Sequence, residues 1–334
     1  MKLTTKLLSA VASVALLSGA TAAVADGHLE EITVAYFLEW PTPNQFAQQN
    51  KLYEEAMGVK INWVSFDAGT AMSAAMASGD VHISYSQGVT PFLVATAAGQ
   101  DLKAIDVAVS YSDNDNCVVR SSLEIDASNA GAELPGKQVA VPLGTAAHSG
   151  FLAQMKHFGV DVDTMKIVDM APVDGAAAFA AGELDMACGW SGPLQRMKEH
   201  GNVLLSGAEK EAVVGRVFDV VSIPAAFGAE NPELVAKFLK VNADMEAKYA
   251  MDAESMFPAI AQAAGMDVDA VRSTAAEFGY PTMDEKLSDY WMAGGVTEYM
   301  ASSAAKLQEA GQITALDDYA PLVDMSYLEA ASKM

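Results

Sequence analysis

The chain has 334 residues, of which 51% are hydrophobic and 19% are charged. This length is sufficient for two domains of ordinary size, and this composition excludes a largely disordered chain. The formal net charge of −23 argues against nucleic acids and anionic membranes as partners, because both carry negative charge themselves.

The N-terminus has the pattern of a secretory signal peptide. Lys2 and Lys6 precede an apolar stretch, Leu7–Leu17, and small residues follow up to Ala25. We therefore expect residues 1–25 to be removed on export. A membrane anchor is the alternative, but the stretch is shorter than the ~20 apolar residues that a spanning helix needs. The mature chain is expected to be a soluble exported protein.

The chain then alternates between strand-like and helix-like segments. The strands predicted in the first half are Ile32–Tyr36, Val59–Phe66, Val81–Ser84 and Leu102–Tyr111, and the helices are 44–57, Ala71–Ser78 and Phe92–Ala98. In the second half, strands are predicted at Cys117–Arg120, 136–141, Lys166–Asp169, Leu184–Gly189, Val203–Leu205 and Phe218–Pro224, and the pattern is mostly helical from Asn231 onward. This alternation predicts an α/β fold with two parallel-rich sheets flanked by helices.

Two segments of similar pattern indicate two similar lobes joined by a hinge. Ala74–Pro91 and Ala177–Pro193 each contain a helix end, a Gly-acid turn, a short apolar strand, and a loop with small residues, an aromatic residue and a proline. We assign residues 26–110 and 225–334 to the first lobe and 111–224 to the second. Ligands bind at the carboxyl ends of strands in open α/β sheets. Two such loops facing each other favour a ligand-binding clamp over a catalytic pocket.

The two cysteines, Cys117 and Cys188, fall in strand-like runs of the second lobe. An even pair in an exported protein favours a disulfide. Two buried thiols are the alternative.

Familiar enzyme motifs are missing from the sequence. It contains no G-x-G-x-x-G, Walker loop, G-x-S-x-G, H-E-x-x-H or C-x-x-C motif. The five histidines show no metal-ligand spacing. We therefore expect no catalytic residue, no metal and no cofactor.

Acidic and aromatic residues suggest a place for a cation. Glu39 and Trp40 follow the first predicted strand, in the loop Tyr36–Pro43. An acid beside a ring suits an ammonium group, which gains Coulomb attraction and a cation–π contact. Tyr85 and Trp190, at the ends of the two similar strands, are candidates to complete an aromatic box. Packing in the core is the alternative for these rings.

Asp219 is an acid within an apolar run, 217–224. A buried carboxylate without a partner is costly. Asp219 is therefore expected either to pair with Arg196 or Arg216 or to face a cationic ligand, and both interpretations stay open.

Donors for an anion are expected at the start of a helix. The segment Gly144–His148 begins a helix. Backbone N–H groups together with the helix dipole make such a terminus a binding site for an anion. Thr145 adds a hydroxyl, although simple N-capping by this residue would give the same pattern. Gln87 and Thr90 offer similar donors from the first lobe.

Several runs together resemble a known family. They are ITVAY at 32–36, INWVSFDAGTAMSAAMASGDVHIS at 61–84, QGVTP at 87–91, LPGKQVAVPLGTAAHSGFLAQMKHFGV at 134–160, GELDMACGWSGPL at 182–194 and FDVVSIPAAFGAENPELVAKF at 218–238. In this order and spacing they resemble the solute-binding proteins of the aliphatic sulfonate, nitrate and taurine ABC importers.

The resemblance implies a two-lobed, hinge-bending periplasmic binding fold of type II. It implies taurine or a similar small amino-sulfonate zwitterion as the ligand between the lobes. It also implies a periplasmic location and, as partners, an inner-membrane permease and its ATPase; we expect a monomer.

Binding positions of the family correspond here to Tyr36, Glu39, Trp40, the loop Ser86–Thr90, Thr145–His148, the Trp190 loop and Asp219. On this basis we assign the sulfonate to Thr145 and nearby amides, with Gln87, Thr90 and His148 as further candidates. The ammonium is assigned to Asp219 or Glu39.

Two alternatives to a taurine receptor remain. Glu39, Trp40, Tyr85 and Gln87 stand where taurine-binding relatives commonly have small residues, which leaves room for a bulkier cation such as a methylated amine or a betaine-like zwitterion. The remote alternative is a pyrimidine-precursor-type enzyme, since related two-lobed folds occur there, with His148 as its reactive residue.

Overall fold

The computed structural model describes residues 29–215 and 217–334, which form two β-sheets flanked by helices. The predicted signal peptide, residues 1–25, and Arg216 lie outside the described residues.

The strands are β1 Glu31–Tyr36, β2 Lys60–Ser65, β3 Ile83–Gly88, β4 Leu102–Tyr111, β5 Asp115–Arg120, β6 Gln138–Val141, β7 Lys166–Asp169, β8 Met186–Trp190, β9 Gly201–Val203, β10 Val217–Pro224 and β11 Phe278–Gly279.

The helices of the first half are α1 Asn44–Gln49, α2 Leu52–Met57, α3 Gly69–Ser78, α4 Val89–Ala97, α5 Ala130–Glu133 and α6 Ala146–Phe158. Those of the second half are α7 Pro172–Ala181, α8 Ser191–Lys198, α9 Gly207–Val214, α10 Ala225–Glu230, α11 Pro232–Asp252, α12 Phe257–Ala264, α13 Val268–Ala275, α14 Met283–Lys286, α15 Gly295–Glu309 and α16 Ser326–Ala331. Short 3-10 turns occur at Ser121–Leu123, Val162–Thr164 and Ala320–Leu322.

The first sheet has six strands in the order β11-β4-β10-β3-β1-β2. β1 pairs in parallel with β2 and β3, whereas β10 runs antiparallel to β3 and β4. Every residue of β3 is buried, so both faces of this interior strand are covered.

The second sheet has five strands in the order β7-β6-β8-β5-β9 and repeats this pattern. β6 is parallel to β7 and β8, and β5 is antiparallel to β8 and β9. Each sheet thus contains a parallel group of three strands. The chain enters the first sheet from the second at β10 and the second sheet from the first at β5, and both strands run antiparallel to their neighbours; β11 also pairs antiparallel with β4 at the edge of the first sheet.

The boundary between the lobes differs from the predicted one. The sequence assigns 111–224 to the second lobe, but β10, at Val217–Pro224, lies in the first sheet between β3 and β4. The physical reason is that β10 is buried at nearly every position and fills the interior of that sheet. The chain therefore returns from the second lobe to the first before Val217.

Helix α6 illustrates how the sequence positions the site. Thr145 caps its first turn in an extended conformation, and Gly159, with φ of +71°, ends it. Ala147, Phe151 and Met155 are four residues apart, so they share one face, and all three are buried in the core of the second lobe. This packing fixes the direction in which the N-terminus of α6 points.

The C-terminal helices complete the core of the first lobe. Phe238 of α11, Ile260 of α12, Met300 of α15 and Leu328 of α16 belong to the same buried cluster as Ile32 of β1. The helical region beyond the family resemblance is therefore part of the first lobe's core.

Cys117 of β5 stands directly opposite Cys188 of β8, and the structure joins the two in a disulfide. The bridge spans 71 residues of sequence. Loss of a bridge in a secreted domain costs about 2–5 kcal/mol of stability. The alternative of two buried thiols does not apply.

None of the helices within 29–215 and 217–334 is both long and apolar enough to cross a membrane. The same residues contain no cluster of three or more His, Cys, Asp or Glu side chains suited to a metal ion.

Candidate functional site

A cavity with about 310 Å³ of empty space lies between the two lobes. Its lining residues come from both lobes and are Phe37, Trp40, Gly69, Gly88, Pro91, Tyr111, Asp115, Thr145, Ala146, Trp190 and Asp219. The free volume of the cavity itself is about 20 Å³, which is room for about one water molecule, so the lobes leave only a narrow space here.

Helix N-termini contribute to the lining of the cavity. Gly69 is the first residue of α3, Gly88 precedes α4, and Thr145 and Ala146 begin α6. The first N–H groups of a helix have no partner within the helix, and the dipole adds partial positive charge there. Three such termini converging on one cavity suit an anion.

The Thr145 hydroxyl forms hydrogen bonds with the backbone of its own segment. It donates to the carbonyl of Pro142 at 2.6 Å and accepts from the backbone N–H of His148 at 3.4 Å. The capping interpretation therefore applies to this segment, and its anion-binding role stays a prediction.

Asp219 of β10 also lines the cavity; it pairs with Gly88 at the start of α4 and is only 2% exposed. Its carboxylate accepts hydrogen bonds from the Ser86 hydroxyl at 2.7 Å and from the Tyr111 hydroxyl at 2.8 Å. Burial raises its pKa to about 7; the hydrogen bonds from Ser86 and Tyr111 lower it, and the nearby Asp115 raises it. Among the described side chains, Asp219 has neutral hydroxyls as hydrogen-bond partners and no ion pair.

Four aromatic rings line the cavity near this carboxylate. Trp40 lies edge-on to Tyr111, with ring centroids 5.2 Å apart, and Phe37 contacts both Trp40 at 6.2 Å and Trp190 at 6.1 Å. The Trp40 indole N–H donates to the Ser86 hydroxyl at 3.0 Å, which fixes the ring. Rings around a buried carboxylate favour a cationic group.

Three residues next to the cavity have left-handed backbone conformations that side chains rarely adopt. Glu39, Ser86 and Ser191 have φ of +53°, +66° and +50°. Such strain is found preferentially at ligand sites. Ser86 and Ser191 hold equivalent places in the two similar segments, each directly after the aromatic residue, Tyr85 or Trp190.

Contacts between the lobes surround the cavity. The Arg196 guanidinium of α8 pairs with the Glu39 carboxylate at 2.8 Å, and the Ser191 hydroxyl donates to the Glu39 backbone carbonyl. A Cβ at Gly192 would overlap the Glu39 carboxylate, so only glycine allows this approach. The structure therefore shows the lobes in contact around the cavity.

The structure brings four of the predicted site residues to the cavity: Trp40, Thr145, Trp190 and Asp219. Glu39 is not among the lining residues, because Arg196 holds its carboxylate at the rim between the lobes. Arg196 is thus the partner of Glu39, not of Asp219.

Tyr85 and Gln87 lie elsewhere than predicted. β3 continues to Gly88 instead of ending at Ser84, so both side chains lie in a fully covered strand. Tyr85 is 2% exposed in the first core. The Gln87 amide donates to the Gly69 carbonyl at 2.9 Å and accepts from Ser222 at 2.7 Å, which holds the start of α3 beneath the cavity.

Tyr36, Thr90 and His148 also lie outside the cavity lining. Tyr36 packs edge-on against Trp63, with centroids 6.0 Å apart. Thr90 shares a hydrogen bond with Ser149 of the second lobe at 3.0 Å. His148 is buried, and its Nδ1 accepts from the Gly144 N–H at 3.1 Å.

Burial lowers the pKa of His148, although Asp169 opposes this shift. The imidazole is therefore neutral at neutral pH. As a neutral group it supplies no positive charge for a sulfonate.

Sequence reasoning missed Phe37, Tyr111 and Asp115. A signal for Asp115 was present: it lies two residues before Cys117, and Trp190 lies two residues after Cys188. In an antiparallel pair the disulfide places these residues opposite each other, as the structure shows. No comparable signal distinguished Phe37 or Tyr111 from core aromatic residues.

A two-lobed α/β fold with a small cavity between its lobes defines the class of periplasmic binding proteins. The chain belongs to the NMT1/THI5-like family, which matches residues 42–253. Both the predicted fold class and the predicted family resemblance are confirmed by the comparisons that follow.

Two named relatives match in sequence. The taurine-binding periplasmic protein of Escherichia coli (strain K12) is 25% identical over 305 residues, which cover 89% of this chain and 92% of the relative. A putative aliphatic sulfonates-binding protein of Bacillus subtilis (strain 168) is 27% identical over 243 residues, which cover 70% of this chain and 71% of the relative.

A solved structure shows the same fold. The alkanesulfonate-binding protein SsuA from Xanthomonas axonopodis pv. citri, bound to MOPS, matches with a TM-score of 0.73 at 21% identity, covering 88% of this chain and 98% of that protein. These three proteins are described as binding proteins; the desulfurization enzyme DSZB also shares the fold, with a TM-score of 0.66 at 13% identity.

Proposed function

We propose that this protein is the periplasmic solute-binding component of an ABC importer and that it binds a small amino-sulfonate zwitterion, with taurine as the first candidate. The observation that carries the proposal is the combination of two opposite chemistries in one small cavity. Its lining includes helix N-termini and also a buried carboxylate with aromatic rings.

This combination matches a ligand with separated charges. The sulfonate lies at the amides that begin α6, next to Thr145 and Ala146, because the start of α4 at Gly88 lies beside the Asp219 carboxylate. The ammonium lies at Asp219, framed by Trp40, Tyr111 and Trp190. A purely anionic ligand leaves the buried Asp219 unpaired, and a purely cationic ligand leaves the helix termini unused.

The names of the relatives support the sulfonate end of the ligand. One is described as binding taurine and the other as a putative binder of aliphatic sulfonates. We extend from them to this chain the periplasmic location, the membrane permease and the ATPase. The predicted monomer and the predicted signal peptide stay predictions.

A betaine-like zwitterion or a methylated amine is the second candidate. The observation that favours it is the number of rings, since Phe37, Trp40, Tyr111 and Trp190 all line the cavity. Quaternary ammonium groups bind in such aromatic surroundings without needing hydrogen-bond acceptors. The two candidates differ in whether the cation has N–H donors.

Isothermal titration of the purified chain tests both candidates. Taurine, hypotaurine, ethanesulfonate, glycine betaine and choline form the panel. We expect taurine to bind at least about 10-fold more tightly than ethanesulfonate, which lacks the cation, and than choline, which lacks the anion. Failure of all five to bind more tightly than about 1 mM would refute the zwitterion assignment. Tighter binding of glycine betaine than of taurine would select the second candidate.

A further inference from the structure

The cavity contains a second buried carboxylate, Asp115, that the assignment above does not use. Asp115 begins β5 in the second sheet, and Asp219 lies in β10 of the first sheet. They are 4% and 2% exposed, and both line the same small cavity. Two carboxylates from different lobes thus share one enclosed space.

Each carboxylate has an incomplete set of compensating charges among the described side chains. Asp219 accepts from the hydroxyls of Ser86 in β3 and Tyr111 in β4. The nearest described cation to Asp115 is Lys210 of α9, which acts on it electrostatically. The Lys210 ammonium, however, donates to the backbone carbonyls of Ser112 and Asp115.

Two carboxylates confined together resist ionising together, because each repels the charge of the other. We propose that Asp115 and Asp219 form one cation-binding pair, which holds a proton in the ligand-free protein and releases it when a primary ammonium group enters. This inference rests on the proposed function. In the exchange, a carboxyl O–H bond breaks, its proton passes to the solvent, and the ammonium of the ligand takes over the compensating positive charge.

The pKa values agree with this geometry. Burial raises the pKa of Asp219 to about 7 and that of Asp115 to about 6; Lys210 opposes the second shift, and the charge of Asp115 adds to the first. The pair therefore begins to take up a proton near neutral pH. A bound ammonium stabilises the ionised form, so the affinity falls as the pH falls below about 7.

The pair also distinguishes between kinds of cation. A primary ammonium has three N–H donors and can donate to Asp115 and Asp219 at once. A quaternary ammonium has none and leaves both carboxylates without a hydrogen bond from the ligand. We therefore expect taurine to bind at least about 10-fold more tightly than N,N,N-trimethyltaurine, which has the same sulfonate.

The decisive measurement is calorimetric titration with taurine in two buffers that differ in ionisation enthalpy. At about pH 6 we expect close to one proton to be released per bound taurine, and at about pH 8, where the taurine amine is still protonated, close to none. The affinity should weaken by up to about tenfold between pH 7 and pH 6. Asp115→Asn should release fewer protons at about pH 6 and should bind taurine at least about 10-fold more weakly at about pH 8.

Asp101→Asn is the matched control, because Asp101 is an exposed acid at the start of β4 with 79% of its side chain accessible. It should keep both the affinity and the proton release of the wild type. A second measurement needs no ligand: carboxyl ¹³C signals of Asp115 and Asp219 should titrate well above the ordinary aspartate range in the free protein.

The outcomes separate this inference from the proposed function. Tight taurine binding without proton release, or with an unaffected Asp115→Asn variant, overturns the pair and leaves the proposed function standing. Ordinary titration of both carboxyl signals also overturns the pair. Equal binding of N,N,N-trimethyltaurine overturns the requirement for a primary ammonium. If no zwitterion binds at any pH, the proposed function itself fails.

Discussion

The protein buries two groups of carboxylates, and it compensates them differently. In the first lobe, Asp106 and Glu246 both pair with Lys286, at 3.0 Å and 2.8 Å, and all three are nearly inaccessible. At the cavity, Asp219 and Asp115 are equally buried. The described hydrogen-bond donors to the Asp219 carboxylate are neutral.

The comparison shows where a cation is built in and where, among the described residues, no cation pairs with the carboxylate. Burial lowers the pKa of Lys286, but Asp106 and Glu246 more than restore it, so the lysine stays charged and ties β4, α11 and α14 together. A buried charge needs such a partner. At Asp219 the equivalent position is open to the cavity, so a ligand can supply the ammonium that Lys286 supplies elsewhere.

Replacing Lys286 should give the largest effect, on stability. Lys286→Met leaves Asp106 and Glu246 buried without their cation, so we expect a loss of about 3–5 kcal/mol in the free energy of unfolding. Urea denaturation followed by circular dichroism measures it. Lys240→Met is the control, because Lys240 is an accessible partner of Asp244 in α11 and should cost less than about 0.5 kcal/mol. A Lys286→Met variant as stable as the control would contradict the comparison.

Replacing Asp219 should affect binding instead. Asp219→Asn removes the charge that faces the ammonium, so taurine affinity should fall by about 100-fold. Stability in the absence of ligand should not fall at about pH 8, because the variant no longer ionises a buried group. Calorimetric titration and thermal melting measure the two properties. Retained affinity would show that the ammonium lies elsewhere.

The pH dependence of stability sharpens this second prediction. Burial raises the pKa of Asp219 to about 7 in the folded protein, so the unfolded chain releases this proton at lower pH. Ionisation of Asp219 therefore lowers the stability of the free wild type as the pH rises from about 4 to about 7. Asp219→Asn should lack this pH-dependent loss of stability. Its melting temperature should therefore rise relative to that of the wild type between about pH 5 and pH 8.

The two similar segments supply a third, smaller contrast. Trp190→Leu removes a ring from the cavity and should weaken taurine binding by about 10-fold without changing the circular dichroism spectrum. Tyr85→Phe should leave binding within about twofold. The Tyr85 hydroxyl is buried without a hydrogen-bond partner among the described residues, so its removal should not lower stability. Equal effects of the two substitutions on binding would contradict the placement of Tyr85 in the core.

This pair also shows what sequence can and cannot predict. The repeated pattern predicted two lobes, and the disulfide, the cap of α6 and the buried acid Asp219 were all visible as residue types in context. The position at which β3 ends was not visible in this way. Tyr85, Ser86 and Gln87 continue the strand, but in the sequence they resemble a polar loop, because Ser86 and Gln87 find their hydrogen-bond partners only in the folded protein.

Long-range contacts explain the other misplaced residues. Whether Glu39 faces a ligand or Arg196 depends on how closely the lobes approach, and no local pattern records that distance. Phe37 and Tyr111 reach the cavity because β1 and β4 end at the edge of the first sheet where β10 begins. The sequence therefore predicted the fold better than it predicted which side chains line the cavity.

The contact between the lobes should give the smallest effect. Arg196 and Glu39 are 44% and 28% exposed, and ion pairs of this exposure contribute about 0.2–1 kcal/mol. Since the pair exists only when the lobes are together, Arg196→Ala should weaken taurine binding by at most about fivefold, mainly through faster dissociation, as stopped-flow fluorescence can measure.

Lys156→Ala is the control for this prediction. The pair of Lys156 with Glu309 also joins the lobes, but the two side chains are 75% and 68% exposed, so the substitution should change the dissociation rate less. High salt should reduce the difference between wild type and Arg196→Ala, because it screens the accessible pair. A salt-independent loss greater than about 100-fold would instead mean that Arg196 or Glu39 acts on the ligand itself.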